Sequence, residues 1–114
     1  MKGKSFPTFN PLGPEIVTSD SVNPSDLRLW CSVNGQIRQE DRTRDLIFGV
    51  DYLVWYLSQF MELSPGDVIN TGTPFGVGLG MQPKTYLRPG DFVEAGIDSI
   101  GTLQNLCVET EIIN

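Results

Sequence analysis

The chain has 114 residues, of which 39% are apolar and 19% charged, a composition typical of one folded domain and not of a disordered segment. Its formal net charge of −6 comes from 14 acidic against 8 basic residues, and the scattered bases offer no basic run to nucleic acid or to an anionic membrane surface. Because the sequence has no histidine, His-based catalytic triads and zinc fingers are excluded.

The sequence also lacks segments that would target it to a membrane or to the secretory pathway. The longest apolar-rich stretch, residues 46–61, is interrupted by polar residues and is too short to span a bilayer. Residues 1–7 lack the apolar core that a secretory signal needs. We therefore expect a cytoplasmic protein. Cys31 and Cys107 each stand alone in strand-like segments, which favours two free thiols over a disulfide.

The chain opens with a loop that leads to a predicted hairpin. Pro7, Pro11 and Pro14 prevent a helix in residues 4–14 and favour an ordered loop. Residues 27–33 alternate apolar and polar side chains, meet Asn34-Gly35, and the strand-like pattern resumes at residues 36–39. This pattern predicts two strands joined by a two-residue type I′ turn.

One main helix is predicted after the hairpin. Apolar residues recur at spacings of three and four from Leu46 onward, which indicates a helix over about residues 44–61. Thr43 is its expected N-cap, and Asp45 lies in the first turn, where a carboxylate favours the helix dipole. The dipeptide Pro65-Gly66 is expected to close the segment.

The tripeptide Pro-Gly-Asp occurs twice, at residues 65–67 and 89–91. Each copy precedes a short apolar run, Val68-Ile69 in the first case, so both predict a turn that leads into a strand. Between them lies a glycine-rich loop, residues 71–80. Its spacing matches neither a phosphate loop nor a dinucleotide fingerprint, and both a ligand-binding loop and a structural turn remain open.

Few side chains point to chemistry when each is considered alone. Lys4 could pair with a carboxylate or an enolate, or it could be a solvated lysine near the start of the chain. The hydroxyls of Thr8, Thr71 and Thr73 could hold a carboxylate, or they could be ordinary polar groups of strands and turns. No single residue decides the function.

Taken together, the segments resemble one family, the fumarylacetoacetate hydrolases, over nearly the whole chain. Residues 3–14 resemble its signature Lys-Ser-Phe-Asp-Thr-Phe-x-Pro-x-Gly-Pro, and residues 29–35 resemble its Leu-x-Val-Asn-Gly hairpin. Residues 71–78 resemble its Thr-Gly-Thr-Pro-x-Gly-Val-Gly loop. Within the family, the chain is most similar to 2-hydroxyhepta-2,4-diene-1,7-dioate isomerases and acylpyruvases.

The resemblance implies a fold and a type of reaction. The fold is α+β and β-rich, part of a mixed β-roll, with residues 1–114 as one C-terminal portion of the catalytic domain. Family members use Mg²⁺, or Mn²⁺ or Ca²⁺, to chelate a 2-oxo acid. They hydrolyse carbon–carbon bonds, isomerise double bonds or decarboxylate, because the cation stabilises the enolate that forms.

The resemblance also assigns roles to individual residues. The family's active-site lysine falls on Lys4, which would be catalytic. A threonine associated with the metal in some members falls on Thr8. The residues implied to contact the substrate are Phe6, Gly72, Thr73 and Pro74.

Two departures from the family pattern leave two hypotheses. Pro7 stands where the family usually has aspartate, and the family's acidic metal ligands and general base precede the lysine motif, which begins here at Gly3. The chain could be part of an enzyme that needs a complementary N-terminal half, binding metal weakly and showing little activity alone. It could instead be a non-catalytic, homodimeric module that binds a small carboxylate or a protein.

Overall fold

A computed structural model describes residues 5–109 as a four-stranded sheet, one helix and long connecting loops. The strands are β1 (Arg28–Val33), β2 (Gln36–Arg42), β3 (Phe92–Ile97) and β4 (Gly101–Leu106), and the helix is α1 (Val50–Ser58). Single 3-10 turns occur at Thr43–Asp45 and Gly78–Gly80. The predicted α+β, β-rich fold is confirmed.

The predicted hairpin is also confirmed. Asn34 and Gly35 connect β1 to β2 with φ angles of 51° and 76°. A type I′ turn requires this left-handed conformation at both central residues, and asparagine and glycine adopt it at little cost. The turn sequence therefore determines where β1 ends and β2 begins.

The four strands form an antiparallel sheet in the order β2-β1-β3-β4. One side of the sheet, called here the front face, carries residues 29, 31 and 33 of β1 and their partners Ile97, Ala95 and Val93. On the back face, Ser32 donates a hydrogen bond to Glu94 at 3.3 Å, and Gln104 donates to the same carboxylate at 2.9 Å. The back face is thus tied by polar contacts, and the front face is mainly apolar.

Strand β2 contains a β-bulge. Cys31 pairs with Gln39 and Ser32 pairs with Ile37, so Arg38 is an extra residue without a partner on β1. The Arg38 guanidinium donates to the sulfur of Met81 at 3.9 Å. Because Gln39 remains opposite Cys31, its side chain lies on the front face.

The predicted extent of the helix is wrong, because α1 covers only Val50–Ser58. The backbone is extended at Leu46 (ψ 132°) and at Gly49 (ψ 163°), which separates the 3-10 turn from α1. Thr43 is not an N-cap: its hydroxyl accepts the N–H of Leu27 at 2.8 Å, and its N–H donates to the Leu27 carbonyl at 2.8 Å. Thr43 therefore anchors the 3-10 turn to the sheet instead of starting a helix.

The two Pro-Gly-Asp segments form matching turns, as predicted. Gly66 and Gly90 have φ angles of 102° and 93°. In the first turn the Asp67 carboxylate accepts the backbone N–H of Ser64 at 2.7 Å, and in the second Asp91 accepts that of Arg88 at 2.8 Å. The second turn leads into β3. The strand predicted at residues 68–69 is wrong, because that segment does not pair with another described strand.

The described part of the chain encloses no hydrophobic core, since none of its apolar side chains is fully buried. The chain exposes 9480 Å² of surface. A folded monomer of its mass, 12.6 kDa, exposes about 6200 Å². The difference, roughly 3300 Å², is larger than one side of an ordinary protein interface.

Part of the exposed apolar surface is an aromatic strip on α1 and its flanks. The strip consists of Phe48, Tyr52, Tyr56 and Phe60, each four residues from the next. Successive ring centroids are 4.9, 6.0 and 5.0 Å apart, and the four side chains are 43–69% exposed. An uncovered row of contacting rings is characteristic of a surface that packs against another polypeptide.

Two smaller expectations concern cysteines and membranes. Cys31 and Cys107 are free and half-buried, which confirms the predicted free thiols.

Within residues 5–109, no helix has both the length and the apolar character required to cross a bilayer.

Candidate functional site

The Thr-Gly-Thr-Pro loop is held against the bulge of β2. At Gly76, which has a φ of 110°, a Cβ atom would collide with the carbonyl oxygen of Arg38 and lie 3.1 Å from Cγ of Gln39. Only glycine combines this conformation with such a close approach of two backbones. The extra residue of the bulge and the glycine of the loop therefore fit together.

Gln39 connects the same strand to the loop through its side chain. Its Nε2 atom donates to the hydroxyl oxygen of Thr73 at 2.8 Å and to the carbonyl oxygen of Pro74 at 2.8 Å. Both distances are typical of well-formed hydrogen bonds. The loop is thus fixed to β2 at Thr73, Pro74 and Gly76.

A first cleft, the Thr73 cleft, lies on the front face and measures about 280 Å³. The Thr-Gly-Thr-Pro loop lines one part of it, and Gly13 of the N-terminal loop lines another. The remaining lining comes from the sheet and includes Cys31, Gln39 and Leu103. The structure therefore brings together two loops that are 60 residues apart in sequence.

A second cleft, the helix cleft, shares Gly72, Thr73 and Pro74 with the first and measures about 380 Å³. Its other walls include the segment between the 3-10 turn and α1, where Leu46 and Phe48 lie. Leu46 extends the three-and-four spacing of α1 toward the N-terminus, but its backbone is extended and the residue lines this cleft. Thr73 lies where the two clefts meet.

A third cleft, the basic cleft, measures about 700 Å³ and adjoins the Thr73 cleft at Cys31 and Gln39. Its lining includes three basic residues, Arg38, Lys84 and Arg88. These three form no ion pair with any residue between 5 and 109, whereas the other described bases, Arg28, Arg42 and Arg44, are each paired with an acid. The lining also includes Asp91, whose carboxylate interacts electrostatically with Arg88 and Arg38, so the basic cleft has three cations against one anion and is net positive.

Cys31 lies between the Thr73 cleft and the basic cleft. Burial raises the pKa of its thiol. The thiol is therefore protonated at neutral pH and is a poor nucleophile. Cys31 is therefore not a candidate nucleophile.

The predicted site residues fall into three groups. Gly72, Thr73 and Pro74 lie together at the two clefts. Phe6 and Thr8 are exposed and line neither of these clefts; the Phe6 ring contacts Phe9, and Thr8 has a φ of 68°. Lys4 lies outside the described residues. The binding roles assigned to these residues stay predictions.

The described residues do not fit a divalent cation. Between residues 5 and 109, no three Asp, Glu, Cys or His side chains converge as a metal would require. Thr8, the predicted metal contact, offers one exposed hydroxyl. A cation would need most of its ligands from groups other than these.

The sequence reading missed Gln39. Its alternation with Ile37 suggested only a strand, because a bulge leaves no clear mark in sequence. One signal was available: a glutamine on an otherwise apolar face needs hydrogen-bond partners. Neither the partner loop nor the face could be identified without the register of β1 and β2.

Comparisons with known proteins agree with the motifs. The family model described as fumarylacetoacetate (FAA) hydrolase C-terminal matches residues 1–108. A mitochondrial oxaloacetate tautomerase of Bos taurus is 45% identical over 107 residues, which are 93% of this chain and 34% of that protein.

Two solved structures extend the similarity to three dimensions. The 2-hydroxyhepta-2,4-diene-1,7-dioate isomerase of Mycobacterium marinum is 42% identical with a TM-score of 0.83, over 94% of this chain and 39% of that one. The maleylpyruvate hydrolase of Sphingobium sp. SYK-6, in complex with manganese(II) and pyruvate, is 38% identical with a TM-score of 0.82, over 91% and 37%. The chain spans about a third of the length of the relatives that it matches.

Proposed function

This chain belongs to the fumarylacetoacetate hydrolase family, and from that membership we propose that it forms part of a site for the carboxylate of a 2-oxo acid. The relatives described above are a tautomerase, an isomerase and a hydrolase, and the hydrolase binds pyruvate, a 2-oxo acid. The reaction would be isomerisation or bond cleavage next to the 2-oxo group. Such reactions share an enolate, whose negative charge the site must stabilise.

The observation that carries this proposal is the position of Thr73. Thr73 lines both clefts, its hydroxyl accepts a hydrogen bond from Gln39, and the residue shares the Thr73 cleft with Gly13. A hydroxyl on a rigid loop is suited to hold one oxygen of a carboxylate. The adjacent basic cleft adds a positive potential that attracts anions to the front face.

Lys4 is the catalytic residue in this proposal, on the strength of the family resemblance. An ammonium group near the 2-oxo oxygen would stabilise the charge that develops as the enolate forms. Gly13, from the same N-terminal loop, reaches the Thr73 cleft. This contact of the N-terminal loop with the cleft supports the assignment, although Phe6 and Thr8 line neither the Thr73 cleft nor the helix cleft.

The cation and the remaining acids are proposed to come from another segment. The related hydrolase contains manganese, but residues 5–109 provide no ligand set for Mn²⁺, Mg²⁺ or Ca²⁺. The uncovered surface of the chain supports the same conclusion, because a second polypeptide segment is needed to bury it. We expect the chain alone to bind metal weakly and to turn over little.

Pyruvate binding tests the carboxylate site directly. Titration of the ¹⁵N-labelled chain with pyruvate should shift the backbone amides of residues 71–76, and Thr73→Val should weaken the dissociation constant about tenfold while Thr73→Ser preserves it. Thr102→Val is the matched control, because the Thr102 side chain lies on the back face of β4, opposite the face that carries the Thr73 cleft. Equal binding by Thr73→Val and the wild type would remove Thr73 from the site.

A second experiment tests the need for a complementary half. The chain is incubated with Mn²⁺ and an acylpyruvate, with and without the N-terminal half of a related enzyme, and product is measured. Activity should require both halves. If both mixtures are equally inactive although the halves associate, the enzyme proposal is contradicted.

The non-catalytic, homodimeric module is the second candidate, and the aromatic strip favours it. A two-fold pair of strips would bury rings that are 43–69% exposed in the single chain. This candidate predicts a discrete dimer by sedimentation equilibrium and cooperative unfolding without any partner. A monomer that remains partly unfolded until a complementary half is added would contradict it.

A further inference from the structure

We propose that Gln39 is a positioning residue that sets the direction of the Thr73 hydrogen bond, so that the site selects a ligand atom that accepts a hydrogen bond. The structural part concerns this chain alone. The ligand part rests on the carboxylate site proposed above. Neither the family motifs nor the sequence reading singled out Gln39.

The orientation of the Gln39 amide follows from its two partners. The carbonyl oxygen of Pro74 can only accept, so the amide atom 2.8 Å from it is the nitrogen. The same nitrogen lies 2.8 Å from the hydroxyl oxygen of Thr73, so each of its two hydrogens has an acceptor. The amide cannot flip without placing two oxygens against each other.

This orientation determines what Thr73 can do. Its hydroxyl oxygen accepts the hydrogen bond from Gln39, and its own hydrogen remains to be donated. No residue between 5 and 109 accepts that hydrogen, and Thr73 is a lining residue of two clefts. The site therefore presents a donor, which suits a carboxylate or carbonyl oxygen and disfavours an ammonium group.

Gln39 is well placed to hold this geometry. It belongs to a central part of β2, is half-buried, and follows the bulged residue whose carbonyl contacts Gly76. A strand constrains its side chain more than a loop would, so Thr73 is held by a rigid element. Functional groups on loops need this kind of support from neighbouring residues.

Substitutions of Gln39 distinguish two effects: its support of the Thr73 loop and the direction in which the Thr73 hydroxyl donates its hydrogen. Gln39→Met keeps the length of the side chain but removes both donors. Gln39→Glu replaces the donors by acceptors, which repel the Pro74 carbonyl and attract the Thr73 hydrogen away from the ligand. Gln104→Met, which removes a similar amide donor from β4 on the back face, is the matched control.

The first measurement is the ¹⁵N order parameter of the backbone amides of residues 71–73 and 75 in the ligand-free chain. We expect these values to fall from about 0.85 toward about 0.6 in Gln39→Met and to stay unchanged in Gln104→Met, because only the first variant loses the bonds to the loop. Unchanged order parameters in a folded Gln39→Met variant overturn the positioning role. A similar decrease in Gln104→Met also overturns it, because the effect would then be general destabilisation.

The second measurement is the dissociation constant for pyruvate in the same variants. Gln39→Met should weaken pyruvate binding about tenfold, and Gln39→Glu should weaken it further. When Thr73→Val is also present, the two Gln39 variants should have equal dissociation constants. If Gln39→Met and Gln39→Glu bind pyruvate equally when Thr73 is present, the claim that Thr73 donates its hydrogen to the ligand is overturned. If the wild type itself does not bind pyruvate, the carboxylate site is wrong, and the order parameters of the loop still decide the structural role of Gln39.

Discussion

Asn34 and Asp91 join the hairpin turn to the turn that precedes β3. The side-chain amide of Asn34 donates to Oδ1 of Asp91 at 2.8 Å, and its side-chain oxygen accepts the N–H of Phe92 at 2.9 Å. Two residues that are far apart in sequence thus fix the relative position of β1 and β3. The pair holds the sheet at the end nearest the basic cleft.

Loss of the Asn34 side chain should destabilise the sheet without changing the turn. Asn34→Gly keeps a residue that tolerates a positive φ but removes both side-chain hydrogen bonds, and we expect the free energy of unfolding to fall by about 1 kcal/mol. Asn34→Ala adds the cost of a left-handed alanine, about 1 kcal/mol more. Urea unfolding monitored by circular dichroism measures both, and equal stability of Asn34→Gly and the wild type would contradict the expected role.

Asp91 should make the fold sensitive to acid. The hydrogen bond from Asn34 and that from the backbone of Arg88 lower the pKa of the Asp91 carboxyl. Since the pKa in the folded state lies below that in the unfolded state, the stabilisation is complete above about pH 4 and is lost as the pH falls through the folded value. The stability difference between the wild type and Asp91→Asn should therefore shrink between pH 6 and pH 2, and a constant difference would oppose this explanation.

Gly76→Ala should detach the Thr-Gly-Thr-Pro loop from β2. The new methyl group would occupy the position of the Arg38 carbonyl oxygen and force alanine into a φ of 110°. We expect a loss of about 2 kcal/mol in unfolding free energy and altered amide shifts over residues 71–78. Gly80→Ala is the control, because its nearest described atom, Cγ2 of Val77, is 3.8 Å from the new Cβ. Similar effects in both variants would argue against a specific contact.

The aromatic strip should control association of the chain. Tyr56 contacts both Tyr52 and Phe60, so Tyr56→Glu interrupts the row of rings and adds charge. We expect lower fluorescence of a bound hydrophobic dye and a lower average mass by light scattering. Ile16→Glu, which adds the same charge at a residue 97% exposed outside the strip, should leave both unchanged. Parallel decreases in the two variants would assign the effect to net charge.

Local signals predicted the features that depend on a few neighbouring residues. Asn34-Gly35 predicted the hairpin, and the two Pro-Gly-Asp segments predicted turns, because each depends on residues that tolerate a particular φ. The helix was predicted too long because Leu46, four residues before Val50, follows a helical spacing, whereas its backbone is extended and the residue lines a cleft. The spacing of apolar residues indicates which positions are apolar, but it does not identify the surface against which each one packs.

The site was predictable only in part. The resemblance identified Gly72, Thr73 and Pro74, and the structure places them together at two clefts. The contact between Gln39 and Thr73 depends on strand register and on a bulge, which are properties of two strands and not of one segment. Such long-range contacts cannot be inferred from a single sequence by local rules.

The bulge at Arg38 links the length of β2 to the identity of a residue in a distant loop. Deleting Arg38 would restore regular pairing between β1 and β2 and withdraw the carbonyl oxygen that faces Gly76. Position 76 could then accept a larger residue of suitable conformation, but the loop would lose its backbone contact with β2. The extra residue of β2 and the glycine at position 76 are thus coupled by one backbone contact, although they lie 38 residues apart.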